Sequence, residues 1–267
     1  MTSSHSTKRI SDSEGPKRPS VRALKRNDIG VVYQPIVDLA DGSTFAYEAL
    51  VRCKVEEFRA PTTLFAQAER EQCCGRLGRM IRDVSFGSEV PAALFVNLHP
   101  AELSERWLVR PDDPIGFHSN AVYLEVTESA AFDQPELTRR VLKDVCERVD
   151  ARLVVDDFGA GYSDVFRVLE LEPDVVKFDR NLIANADQDP AKRDRLNYLV
   201  DLCTELGALV VIEGIETVGE LRAVRASGAP LAQGFLLARP GYPPPQVTWQ
   251  PGWIEDIARP TLRPRKR

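Results

Sequence analysis

The stretch VVYQPIVDLADGSTFAYEALVR, residues 31–52, holds two apolar, β-branched runs, 31–39 and 45–52, separated only by ADGST at 40–44. Its Asp41-Gly42 pair is a strong hairpin signal, because both residues tolerate the turn conformations that a short connection between strands needs. A parallel crossover takes a dozen or more residues, so these two strands must run antiparallel.

Six further apolar runs follow: ALFVNL (93–98), AVYLEV (121–126), RLVVDD (152–157), DVVKFD (174–179), ALVVIEG (208–214) and LAQGFLLA (231–238). Four of them, at 93–98, 152–157, 174–179 and 208–214, are too evenly apolar for half-exposed strands and suit parallel strands covered on both faces. Between runs, Leu137, Val141, Leu142 and Val145 recur at helical spacing, as do Leu196, Leu199, Val200, Cys203 and Leu206. Eight strands with intervening helices predict an α/β fold, a TIM-like (β/α)8 barrel whose first strand is reversed through the hairpin at Asp41-Gly42.

The totals agree with one large domain. The chain has 267 residues, 43% of them hydrophobic, which is enough for a sizeable core. A net charge of -5 argues against a general binder of DNA, RNA or membrane surfaces, which relies on excess Lys and Arg. Five cysteines without a C-x-x-C pair indicate reduced thiols and a cytoplasmic location rather than a disulfide framework or zinc knuckle. No run reaches the roughly 18 apolar residues of a membrane span, and the first twenty residues lack the apolar stretch of a signal peptide. Residues 1–27 are rich in Ser, Lys, Arg and Pro, and residues 242–267 contain PPP and end in RPTLRPRKR. Both segments read as tails flanking a domain at 28–241.

In a β/α barrel the chemistry gathers at the carboxyl ends of the strands. Those ends carry Glu48 and Arg52, Asn97, Glu125, Asp156 and Asp157, Lys177 and Asp179, Glu213, and Gln233. A single strand-terminal carboxylate is commonly a helix cap or a solvated rim residue. Carboxylates from several strands at one mouth repel by several kcal/mol unless neutralised, which points to hard divalent cations such as Mg²⁺, Mn²⁺ or Ca²⁺ rather than zinc. Two such ions about 3.5–4 Å apart form the clamp used for in-line displacement at phosphorus. Lys177 either stabilises phosphate oxygens or forms a buried ion pair with Asp179 or Asp157. Arg52 suits a phosphate fork. The glycines of DDFGAGYSD (156–164) suit a mobile lid.

These residues carry a family resemblance. The blocks YQPIVDL, YEALVR, FVNLHP, LEVTES, DDFGAGYSD, VVKFD, EGIET and QGFLLARP follow in order between residues 33 and 240, and the chain resembles the EAL domain family of bacterial cyclic di-GMP phosphodiesterases, named for the tripeptide here at Glu48-Ala49-Leu50. The resemblance implies two cations, Mg²⁺ or Mn²⁺, with Ca²⁺ expected to inhibit. Glu48, Asn97, Glu125 and Asp156 would hold one, and Asp156, Asp157 and Glu213 the other, Glu213 either directly or through water.

It also implies Glu48, Asp156, Lys177 and Glu213 as the catalytic set, with Lys177 orienting the attacking water. Gln34, Leu50, Arg52, Asp179 and Gln233 would contact substrate, and Glu128 would anchor the loop after the fifth strand. The implied reaction is hydrolysis of one phosphodiester of cyclic di-GMP to linear 5′-pGpG, in a homodimer. Regulation is expected from another chain acting as protein partner, from oligomerisation or from expression level.

Three positions depart from the family pattern. CKVEEFRAP (53–61) replaces a longer loop, Asp164 replaces a Ser, and His99 replaces a Ser, either as a surface substitution or as a group that tunes Asn97. The competing readings are an EAL-type receptor or interaction module with weak or no turnover, and a barrel enzyme acting on another phosphodiester or sugar phosphate.

Overall fold

The computed structural model describes residues 19–88, 90–104, 112–127, 135–159 and 170–253. Eight strands close into a barrel in chain order: β1 (Ile29–Asp38), β2 (Thr44–Cys53), β3 (Ala93–Asn97), β4 (Val122–Thr127), β5 (Ala151–Phe158), β6 (Val175–Phe178), β7 (Leu209–Ile212) and β8 (Leu231–Ala232). β1 runs antiparallel to both of its neighbours, β2 and β8, and every other neighbouring pair is parallel. The expected reversed first strand is therefore present. Its turn places Gly42 at φ +80°, a conformation that glycine adopts without steric cost.

The eighth strand is shorter than the run 231–238 suggests. A Cβ on Gly234 would lie 2.2 Å from the Ile215 carbonyl oxygen, so the chain passes against the β7 loop there and turns instead of extending.

The described helices are α1 (Pro61–Arg70), α2 (Cys74–Ser85), α3 (Pro135–Val149), α4 (Arg180–Ile183), α5 (Pro190–Glu205) and α6 (Val218–Ala226). Local chemistry sets their starts. Asp189 accepts from the amides of Ala191 and Lys192 ahead of α5, and Thr217 with Glu220 forms a capping box on α6. Leu142 and Val145 of α3 and Leu196, Leu199, Val200 and Cys203 of α5 are buried, as their spacing predicts. Leu137 and Leu206 are not: they are 56% and 59% exposed, Leu206 because it is the cap residue where α5 ends.

Because β1 and β2 are joined by a hairpin, no crossover helix follows β1. Two flanking segments pack beside these strands. Val21 and Leu24 are buried against Ile29, Val51 and α1. Gly241 bridges to Tyr33, the Tyr47 hydroxyl donates to the Pro245 carbonyl, and Trp249 covers Gly42. The structure thus gives packed positions to residues 20–27 and 242–253, which composition alone assigned to tails.

One buried ion cluster ties the α2 side together. Arg82 donates to Glu102 at 2.9 Å and to Asp113 at 3.2 Å, all three side chains almost wholly buried. A Cβ on Gly78 would lie 2.2 Å from the Glu102 carboxylate, so α2 can approach it only through glycine. Arg82→Met strands two buried carboxylates and is expected to lower stability by about 3–5 kcal/mol, read from urea denaturation.

Candidate active site

The barrel interior is built in layers. Ile36, Ala46, Phe95, Tyr123, Val154, Val175, Val211 and Leu231, one residue from each strand, pack on one another and fill the lumen. Phe95 and Tyr123 stack within this layer, ring centroids 4.2 Å apart. Side chains on a strand repeat their direction every second residue, so the next inward layer is fixed. Two residues toward the mouth come Glu48, Asn97, Glu125, Asp156, Lys177, Glu213 and Gln233 on β2–β8. On reversed β1 the count runs backward and gives Gln34, directly opposite Glu48 in the ladder. The apolar plug below keeps water from one side of this polar ring.

Six members of the ring are buried: Gln34, Glu48, Glu125, Asp156, Lys177 and Gln233. The Lys177 ammonium lies 2.6 Å from Glu213, 2.7 Å from Glu125, 3.1 Å from Asp156 and 3.4 Å from Glu48. The alternative pairing of Lys177 with Asp179 or Asp157 is not the one formed. Burial opposes the charge on Lys177, but the surrounding carboxylates of Asp156, Glu125, Glu213 and Glu48 outweigh it and raise its pKa well above the usual range. Burial also pushes the Glu125 carboxyl up strongly and Glu213 to about 8, with Lys177 opposing both shifts. One ammonium therefore only partly offsets the acidic cluster.

The adjacent aspartates reach the same mouth through a backbone distortion. Asp157 has φ +59°, and the β5–β6 ladder shifts register between Val155 and Phe158. A regular strand would send the two side chains to opposite faces. Asp157 instead joins Asp156 and Glu213 at the mouth. The left-handed backbone costs on the order of 1 kcal/mol at an Asp, a strain of the kind held at functional sites. Burial, then the neighbouring Asp156, raises the Asp157 carboxyl to about 6.

Two sets of carboxylates have ligand atoms within 4.8 Å of one another, Glu48–Glu125–Asp156 and Asp156–Asp157–Glu213, with Asp156 shared. Asn97 donates its amide to Glu125 at 3.0 Å, which leaves its carbonyl oxygen available as a neutral ligand. Glu125 Oε1 is buried, and its polar contact is the Lys177 ammonium at 2.7 Å. An all-oxygen set in which Asp156 is shared by two carboxylate groups fits hard divalent cations.

Glu48, Asp156, Asp157, Glu213, Gln34 and Gln233 line a cavity of about 400 Å³. Leu50, Arg52 and Asn97 line a second, of about 380 Å³, which Glu48 and Asp157 also reach. Arg52 is exposed there, and its guanidinium donates to the Val51 carbonyl. Asp179 lines neither cavity; its carboxylate caps α4 by accepting from the Asn181 amide. Glu128, Gly161 and Asp164 lie outside the described residues. His99 is no open-surface substitution: it stacks on Phe65 at 5.1 Å in the wall of the second cavity. Arg180 and Phe235 also line the first cavity and were given no role from the sequence, although Phe235 lies inside the block QGFLLARP and Arg180 directly follows VVKFD.

Comparison with known proteins gives the family and agrees with the fold. The family model described as the EAL domain matches residues 20–240. The cyclic di-GMP phosphodiesterase NbdA of Pseudomonas aeruginosa is 28% identical over 82% of this chain and 30% of its own length. The solved PaMucR phosphodiesterase in complex with c-di-GMP superimposes with a TM-score of 0.70 at 27% identity, covering 82% of this chain and 94% of that one. BlrP1 of Klebsiella pneumoniae, in a calcium and c-di-GMP complex, gives a TM-score of 0.69 at 29% identity over 80% of this chain and 56% of its own. The chain spans only 27–30% of the length of three curated relatives it matches. Among the described residues no helix is long and apolar enough to cross a membrane.

Lys177→Met removes the one cation in contact with four carboxylates. In chelator-containing buffer it is expected to cost about 3–5 kcal/mol of stability, and the deficit should shrink when Mn²⁺ is added, as read by denaturant melts under both conditions.

Proposed function

The chain belongs to the EAL domain family, and from that membership we propose that it hydrolyses cyclic di-GMP to linear 5′-pGpG with the help of two divalent cations, Mg²⁺ or Mn²⁺. The observation that carries this reading is the inward polar layer: every ligand position expected from the family motifs is filled, and the carboxylates fall into two sets that share Asp156. Glu48, Asn97, Glu125 and Asp156 would hold one cation, and Asp156, Asp157 and Glu213 the other. Divalent cations at such a site lower the pKa of water and offset the charge of a phosphodiester.

The remaining chemistry belongs to this chain's side chains. Lys177, held rigidly by burial, orients the attacking water and stabilises charge building on the phosphate oxygens. Arg52, exposed in the second cavity and without a carboxylate partner among the described ion pairs, supplies a fork for the substrate phosphate. Leu50 and the apolar wall beside it offer a surface for a flat base. The acidic cluster alone would repel an anionic dinucleotide, so binding and cation loading are coupled.

Incubation of the protein with cyclic di-GMP and Mn²⁺ or Mg²⁺, alongside 5′-pGpG and an aryl phosphodiester, tests this reading by chromatography of the products. Conversion of cyclic di-GMP to 5′-pGpG supports it. Binding without turnover would make the chain a receptor, and cleavage of the aryl ester alone would point to another substrate. Glu48→Ala should lower kcat/KM by more than about 100-fold, since the ligand geometry tolerates little displacement.

A further inference from the structure

Three buried charges stand apart from the inward ring and take no part in the chemistry proposed for it: Arg82 on α2, Glu102 after β3 and Asp113 ahead of β4. Asp113 alone would neutralise the guanidinium. The second carboxylate therefore calls for a reason beyond charge balance, because taking an extra ion out of water is costly. Its two oxygens face different donors. Glu102 Oε2 accepts from Arg82 Nη1 at 2.9 Å, and Oε1 accepts from the His99 backbone amide at 3.1 Å, while the Glu102 amide donates to the His99 carbonyl at 2.8 Å. Among side chains of this length only a carboxylate accepts on both oxygens; a glutamine would turn its NH₂ against one of the two donors. Glu102 thus bridges α2 to both backbone groups of His99.

What the bridge holds is a cavity wall. Arg82, Leu98, His99 and Pro100 line the second cavity together with Leu50 and Arg52, whereas Asp113 does not reach it and accepts from the Ile115 amide at 3.3 Å. With its backbone gripped, His99 lays its ring on Phe65, 5.1 Å between centroids and 5° from parallel, and its Nδ1 accepts from the Ala101 amide at 3.2 Å. That bond sets the proton of the neutral ring on Nε2, 3.6 Å from the Glu69 carboxylate. The polar contacts of the ring thus go to Ala101 and Glu69 rather than to Asn97.

We propose that Glu102, gripped by Arg82, is a positioning residue that fixes His99 flat against Phe65 and so shapes the wall on which a flat base of the substrate packs. The inference rests on the proposed function for the identity of that substrate. Its structural half, the hold of Glu102 on the His99 ring, stands on the geometry of the cluster alone.

The test compares two isosteric variants, each of which leaves Arg82 facing one carboxylate. Glu102→Gln breaks the bridge, and Asp113→Asn spares it. Glu102→Gln is expected to raise the KM for cyclic di-GMP about three- to tenfold, the worth of one lost hydrogen bond, with kcat within about twofold of wild type. Asp113→Asn should lower the melting temperature while its KM stays within about twofold of wild type. Long-range ¹H–¹⁵N spectra of the three histidines, His5, His99 and His118, recorded at fixed pH without substrate, give a second readout. His99 should show the Nε2–H tautomer in wild type and in Asp113→Asn, and a mixture of tautomers in Glu102→Gln. An equal rise of KM in both variants, or none in Glu102→Gln, would overturn the proposal. If Glu102→Gln fails to fold, Phe65→Leu removes the stacking face with the cluster intact, and an unchanged KM there would overturn it equally. A wild-type protein that neither binds nor cleaves cyclic di-GMP would fell the proposed function instead, and unchanged His99 signals in Glu102→Gln would then still refute the bridge.

Discussion

The strained electrostatics of one buried layer governs this molecule. Carboxylates from four strands crowd around a single ammonium, directly above a dry apolar plug. Charges so placed repel one another unless cations compensate them, and one lysine compensates only in part. The ring is therefore held in a folded protein because the barrel fixes each strand, and its incomplete neutralisation suits it to the divalent ions of the proposed function.

The reversed first strand serves that layer. A parallel β1 would demand a crossover helix and would approach Glu48 with a different register. The hairpin instead sets Gln34 opposite Glu48 and leaves the outer side of β1 and β2 to α2 and to the segment around Gly241–Trp253. Strand closure and site geometry meet at this seam, where β8 pairs with β1 and Gln233 Nε2 donates to Gln34 Oε1. The Arg82 cluster has a comparable role on the neighbouring side, where Glu102 accepts from the His99 amide just after Asn97.

Much of the site was legible from strand ends alone. Glu125, Asp156 and Lys177 each follow a run of β-branched or aromatic residues, and a period of two carries the apolar layer into the polar one without knowledge of the fold. Asp179 also ends its run, and there the carboxylate caps the following helix by accepting from the Asn181 amide. His99 and Phe65 were not legible as a pair, because 34 positions separate them in the chain and only packing brings the rings together.

The sequence by itself determined the strand count, the reversed hairpin and the identity of the ring, because these follow from local periodicity, turn chemistry and the two-residue alternation of side chains. Only the tertiary structure decided which ring members touch. Lys177 takes four carboxylates rather than its sequence neighbour Asp179, Asp157 swings to the mouth through a left-handed backbone, and two glutamines about 200 residues apart join end to end. Such contacts depend on strand register and on the closure of the barrel, which arise from long-range packing and leave no periodic trace in the chain.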